Sequence, residues 1–168
     1  MIDFFIVDNE IIVVEKIFGL CDDTDGSKKR PAYVALDDKN KWIAEVINDN
    51  SKEISFYPLD CCVRWNLVNG EPAKVCDAML SYNEQKNIIF IELKDRNPKH
   101  KQWRIRAEEQ LKSTIECYKN SYPKSSAHVK AYVSNKQLLF EEGNEEYMER
   151  FKEETGITLR YSRKINII

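Results

Sequence analysis

With only two histidines and five isolated glycines, what is left in this chain to do chemistry is carboxylate and lysine. An acid stands two residues ahead of a lysine at Asp37/Lys39, Glu84/Lys86 and Glu92/Lys94. The first two fall in polar turns, where charge is readily solvated. The third closes the run Ile88-Ile89-Phe90-Ile91-Glu92-Leu93-Lys94. Period-two alternation puts Ile88, Phe90, Glu92 and Lys94 on one face and Ile89, Ile91 and Leu93 on the other. A strand apolar on both faces is usually interior to a sheet, so charges at its end call for a partner.

The preceding segment offers one. Residues 75–82 and 87–94 are two apolar runs around the polar turn Asn83-Glu84-Gln85-Lys86. If Tyr82 pairs with Asn87, Asp77 stands opposite Glu92. Directly opposed Cβ atoms lie about 4.5–5.5 Å apart, and like charges there repel unless a cation intervenes. A divalent metal would serve, with Lys94 two residues along on the same face. A slip of one residue would turn Asp77 to the other face. The plainer alternative is an Asp77–Lys94 ion pair at a strand end.

The elements that must hold these residues can be read from pattern. Strands are expected at 2–7 and 11–18 around the turn Asp8-Asn9-Glu10, followed by a polar loop at 21–30 with Asp25-Gly26 as its turn. Residues 33–36 and 42–47 could form a hairpin, with a short helix as the alternative for 44–46. Residues 54–59 alternate like a strand, and Pro58 marks an edge or bulge. After the central hairpin, Asn97-Pro98 reads as an N-cap and first helical residue. Trp103, Ala107, Leu111, Thr114/Ile115, Tyr118 and Tyr122 then form one helical stripe, ended by Pro123. Residues 128–133 read as a buried strand, 145–155 as a helix stopped by Gly156, and 157–161 as a last strand. This order predicts an α/β or α+β sheet flanked by helices, with a β-rich N-terminal part.

Val75-Cys76-Asp77-Ala78-Met79-Leu80 followed by Ile89-Phe90-Ile91-Glu92-Leu93-Lys94 resembles the core hairpin of the restriction-endonuclease-like PD-(D/E)XK nuclease superfamily, as do the helix and strand that follow. Cys76 stands where the motif has proline. The resemblance implies a single domain over 1–168, with a core of about 54–135 in a mixed central sheet and a β-rich extension over 1–53. It also implies a Mg²⁺-dependent nuclease acting on DNA before RNA, with Mn²⁺ as substitute. Asp77, Glu92 and the Leu93 carbonyl would hold the ion, since Mg²⁺ takes oxygen ligands from one or two carboxylates. Lys94 would orient water or stabilise charge on phosphorus, and Gln110 would approach the site from the helix. No helix is recognisable before the hairpin, so an additional acid could be Glu45, Glu53 or none. An inactive binding module on the same scaffold, such as an immunity protein or a nuclease-complex subunit, is the alternative.

Charge fits either reading. The net charge is −2, but residues 1–93 are acidic and residues 94–124 basic. Arg96, Lys99, His100, Lys101, Arg104 and Arg106 open the helix, where cations would meet phosphates. Trp103 could stack on a base, but its place on the apolar stripe favours the core. Glu108 and Glu109 are expected in solvent. The acid pairs Glu141-Glu142 and Glu145-Glu146 suit the start of the last helix. No glycine-rich phosphate loop, HExxH or GxSxG is present. Five cysteines without a CxxC pair read as reduced thiols in the cytoplasm, with Cys61, Cys62 and Cys76 packing as small hydrophobes. No apolar run is long enough to span a membrane, and no basic-then-apolar leader opens the chain. A homodimer or partner protein is left open.

Overall fold

The computed structural model of the chain describes residues 1–23, 30–137 and 143–168. The expected Asp25-Gly26 turn and the Glu141-Glu142 pair lie outside them. The described residues form an α+β fold of two helices and two sheets. The larger sheet contains β1 (Ile11–Val13), β5 (Ile54–Pro58), β6 (Ala78–Tyr82), β7 (Asn87–Lys94), β8 (His128–Asn135) and β9 (Thr158–Tyr161), in the order β1-β5-β6-β7-β8-β9. The smaller contains β2 (Ile17–Cys21), β3 (Tyr33–Ala35), β4 (Ala44–Ile47) and β10 (Lys164–Asn166), in the order β10-β4-β2-β3.

The larger sheet is the middle layer. On one face lie α1 (Gln102–Ser121) and α2 (Glu145–Thr155), which bury Trp103, Leu111, Ile115 and Phe151 against Ile88, Phe90, Val133 and Leu159. On the other face lies the smaller sheet, whose Phe18, Leu20 and Val46 pack with Leu80, Ile89, Ile91 and Leu93. Cover on both sides is why β7 reads as a continuous apolar run. α1 carries the chain from β7 to the parallel β8, and α2 from β8 to the parallel β9, since parallel neighbours need a crossover.

The central hairpin has the expected register, Tyr82 pairing with Asn87 and Ala78 with Ile91. Its turn sets Asn83, Glu84 and Gln85 at φ 53°, 55° and 64°, and Lys86 N–H closes it on the Asn83 carbonyl. Pro58 ends β5, two residues beyond the last pair with β1 at Phe56, so its missing N–H removes no ladder bond on that side.

Several expectations fail for reasons of tertiary packing. Residues 2–7 form no strand. Phe4 is wholly buried between Trp65, Phe90, Tyr118 and Tyr122, and the N–H groups of Ile2 and Phe4 donate to Ser121 Oγ and Tyr122 Oη at the end of α1. Residues 11–18 divide between β1 and β2, in different sheets. β3 and β4 are strands but no hairpin, because β2 lies between them. α1 begins at Gln102, later than Asn97-Pro98. There Asn97 Oδ1 accepts from Lys99 N–H, a turn, and the Pro98 carbonyl accepts from the Arg104 guanidinium. α2 spans the residues expected and closes on Gly156 at φ 72°. β10 went unread because its partner β4 is more than a hundred residues earlier. No helix among the described residues is long and apolar enough to cross a membrane.

Candidate active site

Continuing the β6–β7 register by one residue puts Asp77 opposite Glu92, on the face that α1 covers. Asp77 is 6% exposed and Glu92 wholly buried. The Leu93 N–H donates to Asp77 Oδ2 at 2.6 Å, locking that carboxylate against the end of β7. The Asp77–Lys94 ion pair that was the plainer alternative does not form. Instead Lys94 Nζ reaches Glu92 Oε1 at 2.5 Å and donates to Gln110 Oε1 at 3.2 Å. Glu92 Oε2 is buried and makes no hydrogen bond.

α1 positions this group through three polar contacts. The Gln110 amide donates from Nε2 to the Val75 carbonyl at 3.0 Å, which fixes its oxygen toward Lys94. One turn on, Thr114 Oγ1 accepts the Cys76 N–H at 2.9 Å and donates to the Gln110 carbonyl. Gln110 and Thr114, four apart on one helix face, therefore hold the two residues that lead into Asp77. The Asp77 carbonyl accepts from Leu59 N–H at 2.9 Å, continuing the β5–β6 pairing past Pro58.

Burial raises both carboxylates, and Asp77 adds to the rise of Glu92. Burial pushes the Asp77 carboxyl up to about 7, against the Lys94 ammonium and the Leu93 N–H, with Asp22 and Asp60 adding negative charge nearby. Glu92 is raised well above the usual carboxylate range, first by burial and then by Asp77, against Lys94. A cation between them would relieve both effects and occupy the free Glu92 oxygen, so the donor set fits the ion that the resemblance implies. Among the described residues no group of three or more His, Cys, Asp or Glu side chains is arranged to hold a metal.

The structure brings Asp77, Glu92, Leu93, Lys94 and Gln110 together. The basic residues behave differently from one another. Arg96, Lys99 and Lys101 are exposed on the segment before α1, not on the helix. Arg96 lines a hollow of about 220 Å³ with Lys94, His100 and Arg106, while Lys99 and Lys101 do not. Arg104 turns inward. It is buried, stacks on Trp103, donates from Nε to Asn144 Oδ1 at 2.8 Å and from Nη1 to the Pro98 carbonyl at 3.0 Å, so it ties α1 to α2 and cannot face a polyanion. Trp103 is in the core. Glu108 is also buried, contrary to expectation, accepting from Tyr161 Oη and Arg150, with the Lys112 ammonium 3.8 Å away. Glu109 is exposed and paired with Lys74. Of the two upstream acids, Glu45 is half-buried in the smaller sheet and Glu53 is exposed. The acids that do come near Asp77 are Asp22, just past β2, and Asp60, just past β5. Nothing in the local pattern singles out Asp60 or Thr114, since both matter only through contacts remote in sequence.

Compared with known proteins, the chain matches no family model, no curated protein and no solved structure.

Proposed function

We propose that the protein is a divalent-metal-dependent nuclease of the PD-(D/E)XK type, hydrolysing phosphodiester bonds in nucleic acid, DNA before RNA, in the cytoplasm. The observation that carries this is the buried Asp77–Glu92 pair with Lys94 against it and one Glu92 oxygen unsatisfied. Repelling carboxylates in a dry layer cost stability, and a metal ligand set is a function that would retain them. The order of β6, β7, α1 and β8 agrees with the resemblance.

Asp77 and Glu92 would hold the ion, which when bound neutralises phosphate charge and lowers the pKa of a water. Leu93 N–H keeps Asp77 oriented. Lys94, 19% exposed at its side chain, is the member of the group that reaches the surface hollow. Its ammonium, steadied by Gln110, can donate to a phosphate oxygen or to the attacking water without leaving Glu92. The opposite face of β7 is covered by the smaller sheet.

The test is cleavage of single- and double-stranded DNA and of RNA with Mg²⁺ or Mn²⁺. Asp77→Asn, Glu92→Gln and Lys94→Ala should each lower the rate by about a hundredfold or more. In parallel, Mn²⁺ should raise the melting temperature of the wild type, by an amount equivalent to about 2.7 kcal/mol at a hundred times its Kd, and leave Glu92→Gln unmoved. Failure to cut every form, together with no metal-linked stabilisation, would overturn the proposal.

A further inference from the structure

Beside the site lies a cleft of about 800 Å³ lined in part by Val75 and Gln110, which the Gln110 amide joins through the Val75 carbonyl. Most of its lining comes from the segment at 60–75, folded back on itself through the Asn66–Pro72 bridge. Arg64, Lys74 and Arg106 line it, against Asp60 as the one carboxylate among its lining residues. Arg64 and Arg106 are exposed and form no ion pair among the described residues. Arg106 also lines the smaller hollow that holds Lys94 and Arg96. The two recesses therefore meet at Arg106, with Lys94 and Arg96 lining the smaller one.

Trp65 lines the same cleft and is half-buried, braced from behind by Phe4 at a ring separation of 6.3 Å. A tryptophan recessed among cations has a specific use. Stacking on an aromatic ring is open to a base whose face is free, and in a duplex those faces are already covered by neighbouring base pairs. The volume is that of a pocket for a small ligand, which admits one or two unpaired nucleotides and no stacked helix.

Resting on the nuclease reading, we infer that the substrate enters as a single strand, with a base against Trp65 and its phosphates running from Arg64 over Arg106 to Lys94. A free strand, an overhang or a flap meets this requirement. A continuous duplex does not.

Binding and cutting can be measured apart. For binding, Glu92→Gln without metal is titrated with a non-self-complementary DNA strand of about 20 nucleotides, longer than the ~4–16 that single-strand sites commonly cover, and with the same strand annealed. Trp42 and Trp103 are buried, so quenching of intrinsic fluorescence reports on Trp65. The single strand should quench and bind at least about tenfold tighter than the duplex. Arg64→Ala with Arg106→Ala, both surface positions, should abolish that preference and flatten the dependence of log K on log salt by about 1.4, two single-strand phosphate contacts. Trp65→Phe, which keeps a ring against Phe4, should retain binding where Trp65→Ala loses it. For cutting, the wild type with Mn²⁺ should cleave the single strand at least about tenfold faster, in proportion to the binding preference. Equal or faster cutting of duplex, or binding untouched by the double arginine variant, overturns the single-strand inference and leaves the nuclease reading intact. Tight single-strand binding with quenching and no cutting upholds the cleft while removing the nuclease.

Discussion

At the scale of single residues, the site sets stability against chemistry. Glu92 is buried with one oxygen unsatisfied and a second carboxylate facing it. Glu92→Gln should therefore melt at a higher temperature than the metal-free wild type, by about 1–3 kcal/mol of stability, while losing cleavage. Lys94→Ala should do the opposite to stability, because it strips Glu92 of the one cationic contact it has among the described residues. The double variant should recover most of that loss, giving a coupling of about 0.5–3 kcal/mol in a denaturant cycle without metal. Additive effects would mean that Glu92 and Lys94 do not act as a pair. This much was legible in the sequence: alternation placed Glu92 and Lys94 on one face, and a four-residue turn fixed Asp77 opposite Glu92. Which cation partners which carboxylate was not legible, since it depends on how Gln110 draws Lys94 across β7. Nor could a count of basic residues tell that Arg104 is consumed inside the fold by Asn144 and Pro98, while Arg106, two residues on, faces a cleft.

At the scale of elements, α1 acts as the brace of the site. Its apolar stripe packs on β7 and β8, and its Gln110 and Thr114 reach the strand entry at 75–76. Replacing Thr114 by Val keeps the shape but leaves the buried Cys76 N–H without its acceptor, which should cost about 1–3 kcal/mol. Asp77 follows Cys76 directly, so cleavage should fall with kcat reduced more than KM is raised, and Thr114→Ser should restore it. If Thr114→Val loses stability with kcat unchanged, the contact is structural alone. Helix, hairpin and the strand after them were readable because their signals are local: a three-four stripe, a tight turn, a run apolar on both faces. The N-terminal third resisted for the opposite reason. β3 and β4 are separated by a tight polar segment that reads as a hairpin turn, yet each pairs with β2. Residues 2–6 carry a strand-like run of apolar side chains that is used instead to plug the end of α1.

At the scale of the whole molecule, the β6–β7 hairpin lies in the middle of three layers, and the smaller sheet behind it bears on the Asp77–Glu92 pair. The smaller sheet shares one apolar cluster with β5, β6 and β7, so the side chains that seal the back of Glu92's strand belong to β2 and β4. The two sheets should accordingly unfold together. Gly19, in the middle of β2, gives a sharp test, because a Cβ there would lie 2.2 Å from the Trp42 ring. That ring is buried and held by its Nε1 bond to the Asp37 carbonyl, so it cannot swing away cheaply. Gly19→Ala should cost more than about 2 kcal/mol through overpacking, and it should do so in a single transition. Far-ultraviolet dichroism, intrinsic fluorescence and residual cleavage should all fall at the same temperature. If instead the smaller sheet melted first while β6, β7 and α1 kept cutting nucleic acid, its layer would be a separate unit resting on the nuclease core, and the shared cluster would not couple them.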